Sequence, residues 1–90
     1  MAGPSYIADP EHALLKVELD GLTAVYHRPS GMTHILAAPA PQILEALAGR
    51  AAEVRELSVR LSRNFEVEGG HELLTARLQE LEAAGLVSRT

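Results

Sequence analysis

Apolar and charged residues alternate strictly between Leu15 and Leu19. This period of two predicts a half-buried β-strand, because successive side chains of a strand point to opposite faces. The pair Asp20-Gly21 follows directly and favours a two-residue type I′ turn, since both central residues of that turn need positive φ. The resulting hairpin has one continuous apolar face, formed by the pairs Leu15 with Tyr26, Val17 with Ala24 and Leu19 with Leu22.

A second turn is predicted at Arg28 to Gly31, where proline and glycine suit a tight loop. With a three-residue loop, the next strand, Met32 to Leu36, pairs His34 with Tyr26. Ile35 then points to the opposite face. A four-residue loop reverses this assignment, so the pattern leaves open whether His34 or Ile35 faces the core. Either loop gives a three-stranded antiparallel meander.

Beyond Ala37 the apolar residues recur every three or four positions, which is typical of helices. The second helix has an apolar stripe that continues to Phe65, and Gly85 ends the third. Leu86 and Val87 are expected to form a last extended piece. Three helices are predicted: between Pro41 and Gly49, from about Ala52 to Asn64, and from about His71 to Ala84.

The order of these elements predicts an α+β fold. It is winged helix-turn-helix-like, with an N-terminal three-stranded antiparallel meander followed by three helices. The first ten residues contain Gly3, Pro4 and Pro10 with little periodicity, which predicts a flexible N-terminal arm over residues 1–10. Residues 11–90 are then one domain, because a chain of 90 residues has room for a single small core.

The net charge of −4 at pH 7 argues against a nucleic-acid partner, since phosphates would repel a domain of this sign. The chain contains no cysteine, which excludes disulfides and thiolate metal sites. Its start has neither a basic nor an apolar targeting segment, and no run approaches the roughly 18 apolar residues of a membrane span. We therefore expect a soluble, cytoplasmic protein that binds neither nucleic acid nor membrane.

No catalytic constellation is visible in the sequence. The four histidines are the candidate general bases and nitrogen ligands of a metal. Their spacing in the sequence matches neither a metal-binding motif nor a pairing with a carboxylate: His12, His27, His34 and His71. We expect these histidines to face solvent or to be satisfied by neighbours. The sequence thus predicts no enzymatic activity, no metal site and no cofactor.

The strand Met32 to Leu36 has no later strand that must pair with it, and a free strand edge can bind an extended peptide. On the third helix, a second line of residues runs beside the core stripe of Leu74, Leu78 and Leu81 at the same spacing. This line mixes apolar and charged groups: Leu73, Arg77, Glu80 and Ala84. Next to the strand it would form a shallow peptide groove. Alternatively, its apolar members only widen the core stripe.

Three passages of the chain carry a resemblance to a known family: LDGLTAVYHRPSGMTHILAAPAPQILEALAG, VRELSVRLSRNF and LLTARLQELEAAGLV. In this order and spacing they resemble the PqqD-like peptide chaperones, also called RiPP recognition elements. Within that family the chain looks most like the branch found beside an HPr-kinase-related protein. The resemblance covers nearly the whole chain from about Leu14. Many members carry Leu-Asn before the first helix, where this chain has Leu36-Ala37, so no side-chain role is carried over to Ala37.

The resemblance implies a non-catalytic adaptor with a winged helix-turn-helix-like fold that does not read DNA. The leader segment of a precursor peptide would add as a strand and be presented to a modifying enzyme or an HPr-kinase-related protein. Carried over by position, the peptide-binding residues would be Met32, Thr33, His34, Ile35 and Leu36 on the strand, with Leu73, Arg77, Glu80 and Ala84 on the helix.

Two other interpretations compete with this one. A winged helix could bind DNA, but its third helix offers only Arg77 and Gln79 among acidic residues. The arginines of the second helix are likewise offset by glutamates. In the other interpretation the chain is a structural subunit that forms a homodimer, through the same strand edge or through the leucine-rich helix.

Overall fold

The computed structural model describes residues 3–63 and 70–90. Six strands and three helices lie within these ranges, in the order β1 (Ser5–Ala8), β2 (Leu14–Leu19), β3 (Leu22–His27), β4 (Met32–Leu36), α1 (Ala40–Leu47), β5 (Ala52–Glu53), α2 (Val54–Ser62), α3 (Gly70–Ala83) and β6 (Val87–Arg89). The predicted end of the second helix at Asn64 and the predicted stripe residue Phe65 lie outside the described residues.

The α+β class is confirmed, with a three-stranded antiparallel meander, β2-β3-β4, followed by three helices. A second, unpredicted antiparallel sheet has the strand order β5-β1-β6. The prediction of a flexible arm is therefore wrong for Ser5–Ala8, which form the central strand of this sheet. Tyr6 and Ala8 are only 2% and 4% exposed. A strand of four residues is too short to show a clear period, and its pairing partners lie more than forty residues away in sequence.

The first hairpin has the predicted register, from Leu19 opposite Leu22 to Leu15 opposite Tyr26. Its turn residues Asp20 and Gly21 both have positive φ, at 34° and 89°, as a type I′ turn requires. Leu19 and Leu22 thus flank a two-residue loop whose twist matches that of the strands.

The second hairpin has a four-residue loop, so the register based on a three-residue loop is wrong. Tyr26 lies opposite Thr33, and Val25 lies opposite His34. Gly31 closes the loop with φ of 72°, and its N–H donates to the carbonyl of His27 at 2.8 Å. His34 therefore shares the inner face of the sheet with Val25, which is fully buried, whereas Ile35 points to the outer face.

The continuous apolar face of the hairpin lies at the surface of the molecule. Its side chains, such as those of Leu15 and Val17, are about half exposed. The opposite face supplies the buried side chains Leu14 and Val25, which belong to the core cluster. The alternation of residues was thus sufficient to define two faces, but not to decide which one the helices cover.

The helices follow the predicted stripes. Pro41 lies in the first turn of α1, and Leu74, Leu78 and Leu81 of α3 are all buried. The predicted extended piece after Gly85 is β6, whose Val87 is buried. The core lies between the helices, the small sheet and the inner face of the meander, and its fully buried side chains include Ile43, Leu44, Leu47, Leu57, Leu74 and Leu78.

Candidate functional site

The outer edge of β4 has no partner strand among residues 3–63 and 70–90. In the meander β4 pairs with β3 alone, and the sheet ends there. The strand is five residues long, and three of them, Met32, Thr33 and Ile35, are exposed. A short exposed edge strand of this kind offers unpaired backbone groups to an incoming chain.

The register shows which β4 amides are free. The type I′ turn makes Leu19 and Leu22 a hydrogen-bonded pair, and such pairs alternate along an antiparallel ladder. The hydrogen bond from Arg28 N–H to Ala13 C=O, 2.9 Å long, follows the same alternation. On β3, the residues that form hydrogen bonds with β2 alternate with those at positions 23, 25 and 27. The backbone N–H and C=O groups of these three residues therefore point towards β4.

Their partners on β4, Met32, His34 and Leu36, use their backbone groups within the sheet. Thr33 and Ile35 lie in the non-hydrogen-bonded pairs, so each directs one N–H and one C=O outward. A peptide strand added to this edge would form its backbone hydrogen bonds with Thr33 and Ile35.

Side chains of β4 divide between the two faces of the sheet. Thr33 and Ile35 extend the exposed apolar face of the hairpin, and Ile35 is 57% exposed. His34 and Leu36 lie half-buried on the inner face. The Nε2 atom of His34 is buried and has no hydrogen-bond partner among the described protein groups.

The predicted helical wall is only partly assembled. Leu73 and Arg77 are half-buried, whereas Glu80 is exposed, and Ala84 follows the last residue of α3. Arg77 Nη1 donates to Glu80 Oε2, so the two opposite charges of this wall pair with each other. The extensive contacts of α3 are with α2, β6 and α1, not with β4. The structure thus keeps each half of the predicted site on its own element, and α3 makes its extensive contacts with other elements.

A chain of hydrogen bonds that no sequence pattern predicted anchors the start of β4. Nε2 of His27 lies 2.6 Å from Asp9 Oδ2, and Nδ1 lies 2.7 Å from Ser30 Oγ. The carboxylate only accepts, so Nε2 is the donor in that bond. Met32 N–H donates to the same Ser30 Oγ at 3.3 Å. These hydrogen bonds link the end of β1 to the loop before β4. Of the three side chains, only those of His27 and Ser30 belong to residues that are close together in the sequence.

Arg60 forms a second connection that the sequence did not reveal. Its Nη1 donates to the carbonyls of Ala46 and Arg50, at 2.9 and 2.8 Å, and its Nη2 donates to the carbonyl of Ala51 at 3.0 Å. These bonds satisfy a carbonyl in the last turn of α1 and fix the loop that follows. Arg60 also lines a cavity of about 410 Å³ with Gln42, Glu45, Ala46, Arg50, Leu61 and Arg63. Because its guanidinium already binds three carbonyls, Arg60 is a structural residue.

The described part of the chain holds no group of three or more His, Asp or Glu side chains arranged around a common metal position. None of the helices in residues 3–63 and 70–90 has the length and apolar character needed to cross a bilayer. Comparisons with protein families, with curated proteins and with solved structures find no match for this chain. The candidate site therefore rests on the geometry of β4 and its surroundings.

Proposed function

We propose that this protein is a non-catalytic, cytoplasmic adaptor of the PqqD-like kind. It holds the leader segment of a precursor peptide as an added strand on β4 and presents it to a peptide-modifying enzyme or an HPr-kinase-related protein. The observation that supports this proposal is the outer edge of β4, which pairs with no strand in the described part of the chain and where Thr33 and Ile35 direct their backbone groups away from β3.

The arrangement around the helices supports a winged helix-turn-helix-like fold as part of the proposal. The order α1-β5-α2-α3-β6 places a short strand between the first two helices and another after the third. β1 lies between β5 and β6 and completes the small sheet. In a winged helix-turn-helix protein that binds DNA, the helix at this place in the order is the one that enters the major groove.

The charges of α3 favour a peptide over DNA as the ligand. Its Arg77 is already paired with Glu80, and the whole chain carries a net charge of −4. Binding to DNA gains most of its affinity from neutralising phosphates with free cations. A paired Arg and Glu instead suit a peptide that carries both signs of charge or none.

The backbone bonds alone give weak binding. Each peptide hydrogen bond contributes about 0.5 to 1.5 kcal/mol net, so the four groups of Thr33 and Ile35 contribute a few kcal/mol at most. Micromolar affinity requires about 8 kcal/mol after the entropy of association is subtracted. Side chains of the peptide must supply the rest. Because Ile35 is exposed and apolar, a peptide residue next to it on the outer face is expected to be apolar as well.

The proposal is tested by titrating isotope-labelled protein with a synthetic leader segment from a precursor encoded beside its gene. We expect the largest amide shifts at Thr33 and Ile35, with smaller shifts along α3 at Leu73 and Arg77. A saturating peptide that shifts only residues elsewhere, or shifts none, would contradict strand addition at β4.

A proline substitution sharpens the test. Ile35→Pro removes an outward N–H but no donor to β3, so the sheet should persist while the Kd of the peptide rises about tenfold or more. Glu18→Pro is the matched control, because Glu18 occupies the equivalent outward position on the opposite edge, β2. Equal weakening of peptide binding by both variants would show that the β4 edge is not the site. Amide spectra of both variants check that the sheet is folded.

A further inference from the structure

The outer face of the meander is apolar and uncovered. Of the eight large apolar side chains that are exposed in the described residues, six lie on this face, with exposures from 38% to 57%. The strand register places them together with Ala24 and Thr33. The six are Leu15, Val17, Leu19, Leu22, Tyr26 and Ile35, and we call this set with Ala24 and Thr33 the outer sheet face.

The outer sheet face carries no charge. Lys16 and Glu18 alternate with its residues on β2 and therefore point to the inner side. The charged residues Asp20 and Arg28 lie outside the face, in the turns at the two ends of β3. Two molecules that each carry a net charge of −4 can therefore approach through this face without bringing like charges into contact.

The size of the face suits a second sheet. Three strands of about six residues span about 15 Å by 20 Å, from a strand spacing of about 4.8 Å and a rise of about 3.3 Å per residue. Half-exposed side chains of this size each present on the order of 100 Å². A pair of such faces would bury about 1,200 Å², the lower bound for a specific protein interface.

The shape of the face also fits a twofold contact. Ala24 lies at its centre, between Val17 and Ile35 in the neighbouring strands, and larger side chains surround it. Tyr26 stands two residues further along the same strand. In a twofold pair, Tyr26 of each copy can fill the depression above Ala24 of the other, since side chains of packed sheets interdigitate.

We propose that two copies of this chain pack their outer sheet faces together about a twofold axis. The product is a six-stranded, two-layer sandwich with the layers about 10 Å apart. Both β4 edges stay at the perimeter of the sandwich, so the dimer leaves the outward groups of Thr33 and Ile35 free. This inference stands on the outer sheet face and does not require that a peptide binds.

Sedimentation velocity of the full chain, over concentrations from low micromolar to millimolar, tests the proposal. We expect a monomer–dimer equilibrium. Val17→Lys should raise the Kd of the dimer by at least about 100-fold, because symmetry buries two unpaired ammonium groups in the interface. Val59→Lys is the matched control, since Val59 on α2 has nearly the same exposure, 51% against 50%, and lies outside the outer sheet face.

A chain that stays monomeric over the whole range would overturn the proposal, and so would a Val17→Lys variant that dimerises as well as Val59→Lys. A mixture of isotope-labelled and unlabelled protein provides a measurement that needs no substitution. We expect intermolecular contacts between the Tyr26 ring and the Ala24 methyl group. Intermolecular contacts confined to α3 or to the β4 edge would place the dimer interface elsewhere and refute this one.

Discussion

Two polar side chains each connect segments that are separate in the sequence. His27 bridges Asp9, just after the small sheet, and Ser30, just before β4. Arg60 of α2 holds carbonyls of Ala46, Arg50 and Ala51 around the end of α1. Each side chain binds several partners at once, so its removal breaks more than one hydrogen bond.

Arg60→Met should lower the free energy of unfolding by about 2 to 3 kcal/mol, because hydrogen bonds from a charged donor to three carbonyls are lost. Arg60→Lys should recover only part of this, since one ammonium group cannot reproduce the planar fork of a guanidinium. Urea denaturation monitored by circular dichroism measures both effects. Arg55→Met, an exposed position on the same helix, is the control and should change stability by less than about 0.5 kcal/mol. Equal effects at positions 55 and 60 would rule out the structural role of Arg60.

At the scale of elements, β1 is the main difference from the sequence-based expectation. It lies between β5 and β6, and the N–H of Gly49 after α1 also donates to its Ala8 carbonyl at 3.0 Å. Tyr6 in this strand is buried, and the guanidinium of Arg89 lies 5.7 Å from the centre of its ring. Strand β1 thus pairs with the segments that follow α1 and α3 and connects them in one sheet.

Tyr6→Ala should destabilise the protein by about 3 kcal/mol or more, since it removes a large, fully packed aromatic side chain. Gly3→Ala serves as the control and should be nearly neutral, because Gly3 is exposed and has open space around its Cα. Thermal and urea unfolding of both variants measure the difference. A flexible arm would give near-zero effects at both positions, and that result would contradict the central placement of β1.

The molecule is compact, yet among the described residues no element covers the outer sheet face. The radius of gyration of 12.3 Å agrees with the value of about 12 Å expected for a folded chain of 90 residues. The exposure of the outer sheet face therefore does not come from an extended chain. The helices cover only one side of the meander, and the free β4 edge and the outer sheet face adjoin at Ile35.

If both proposals hold, peptide binding and dimerisation are coupled. A peptide strand beside Ile35 would add its own apolar side chains to the outer sheet face and enlarge the surface that the second copy covers. Each dimer binds two peptides, so the Kd of the dimer changes by the square of the factor by which dimerisation changes the peptide affinity. We expect saturating peptide to tighten the dimer about fivefold or more, and Val17→Lys to weaken peptide binding about twofold or more. Calorimetric titration of Val17→Lys and Val59→Lys with the leader peptide measures this. Identical peptide affinities would show that the two sites are independent.

Much of the candidate site could be read from local patterns. Asp20-Gly21 determined the first hairpin, because only a few residue pairs allow two successive positive φ values. The spacing of Leu74, Leu78 and Leu81 likewise determined the buried stripe of α3. In both cases the signal lies within a few residues of the chain, where backbone sterics and helix geometry act directly.

Local residue patterns were enough to predict the meander, the three helices, the buried stripe of α3 and the identity of β4 as the last strand before the helices. The folded molecule was needed to show that β1 is a central strand, that His34 faces inward and Ile35 outward, and that the apolar side of the hairpin is exposed. Period-two alternation defines two faces of a sheet equally well. Which face is buried depends on where helices that are distant in the sequence pack against the sheet. Strand pairings between segments forty or more residues apart produce no local sequence pattern.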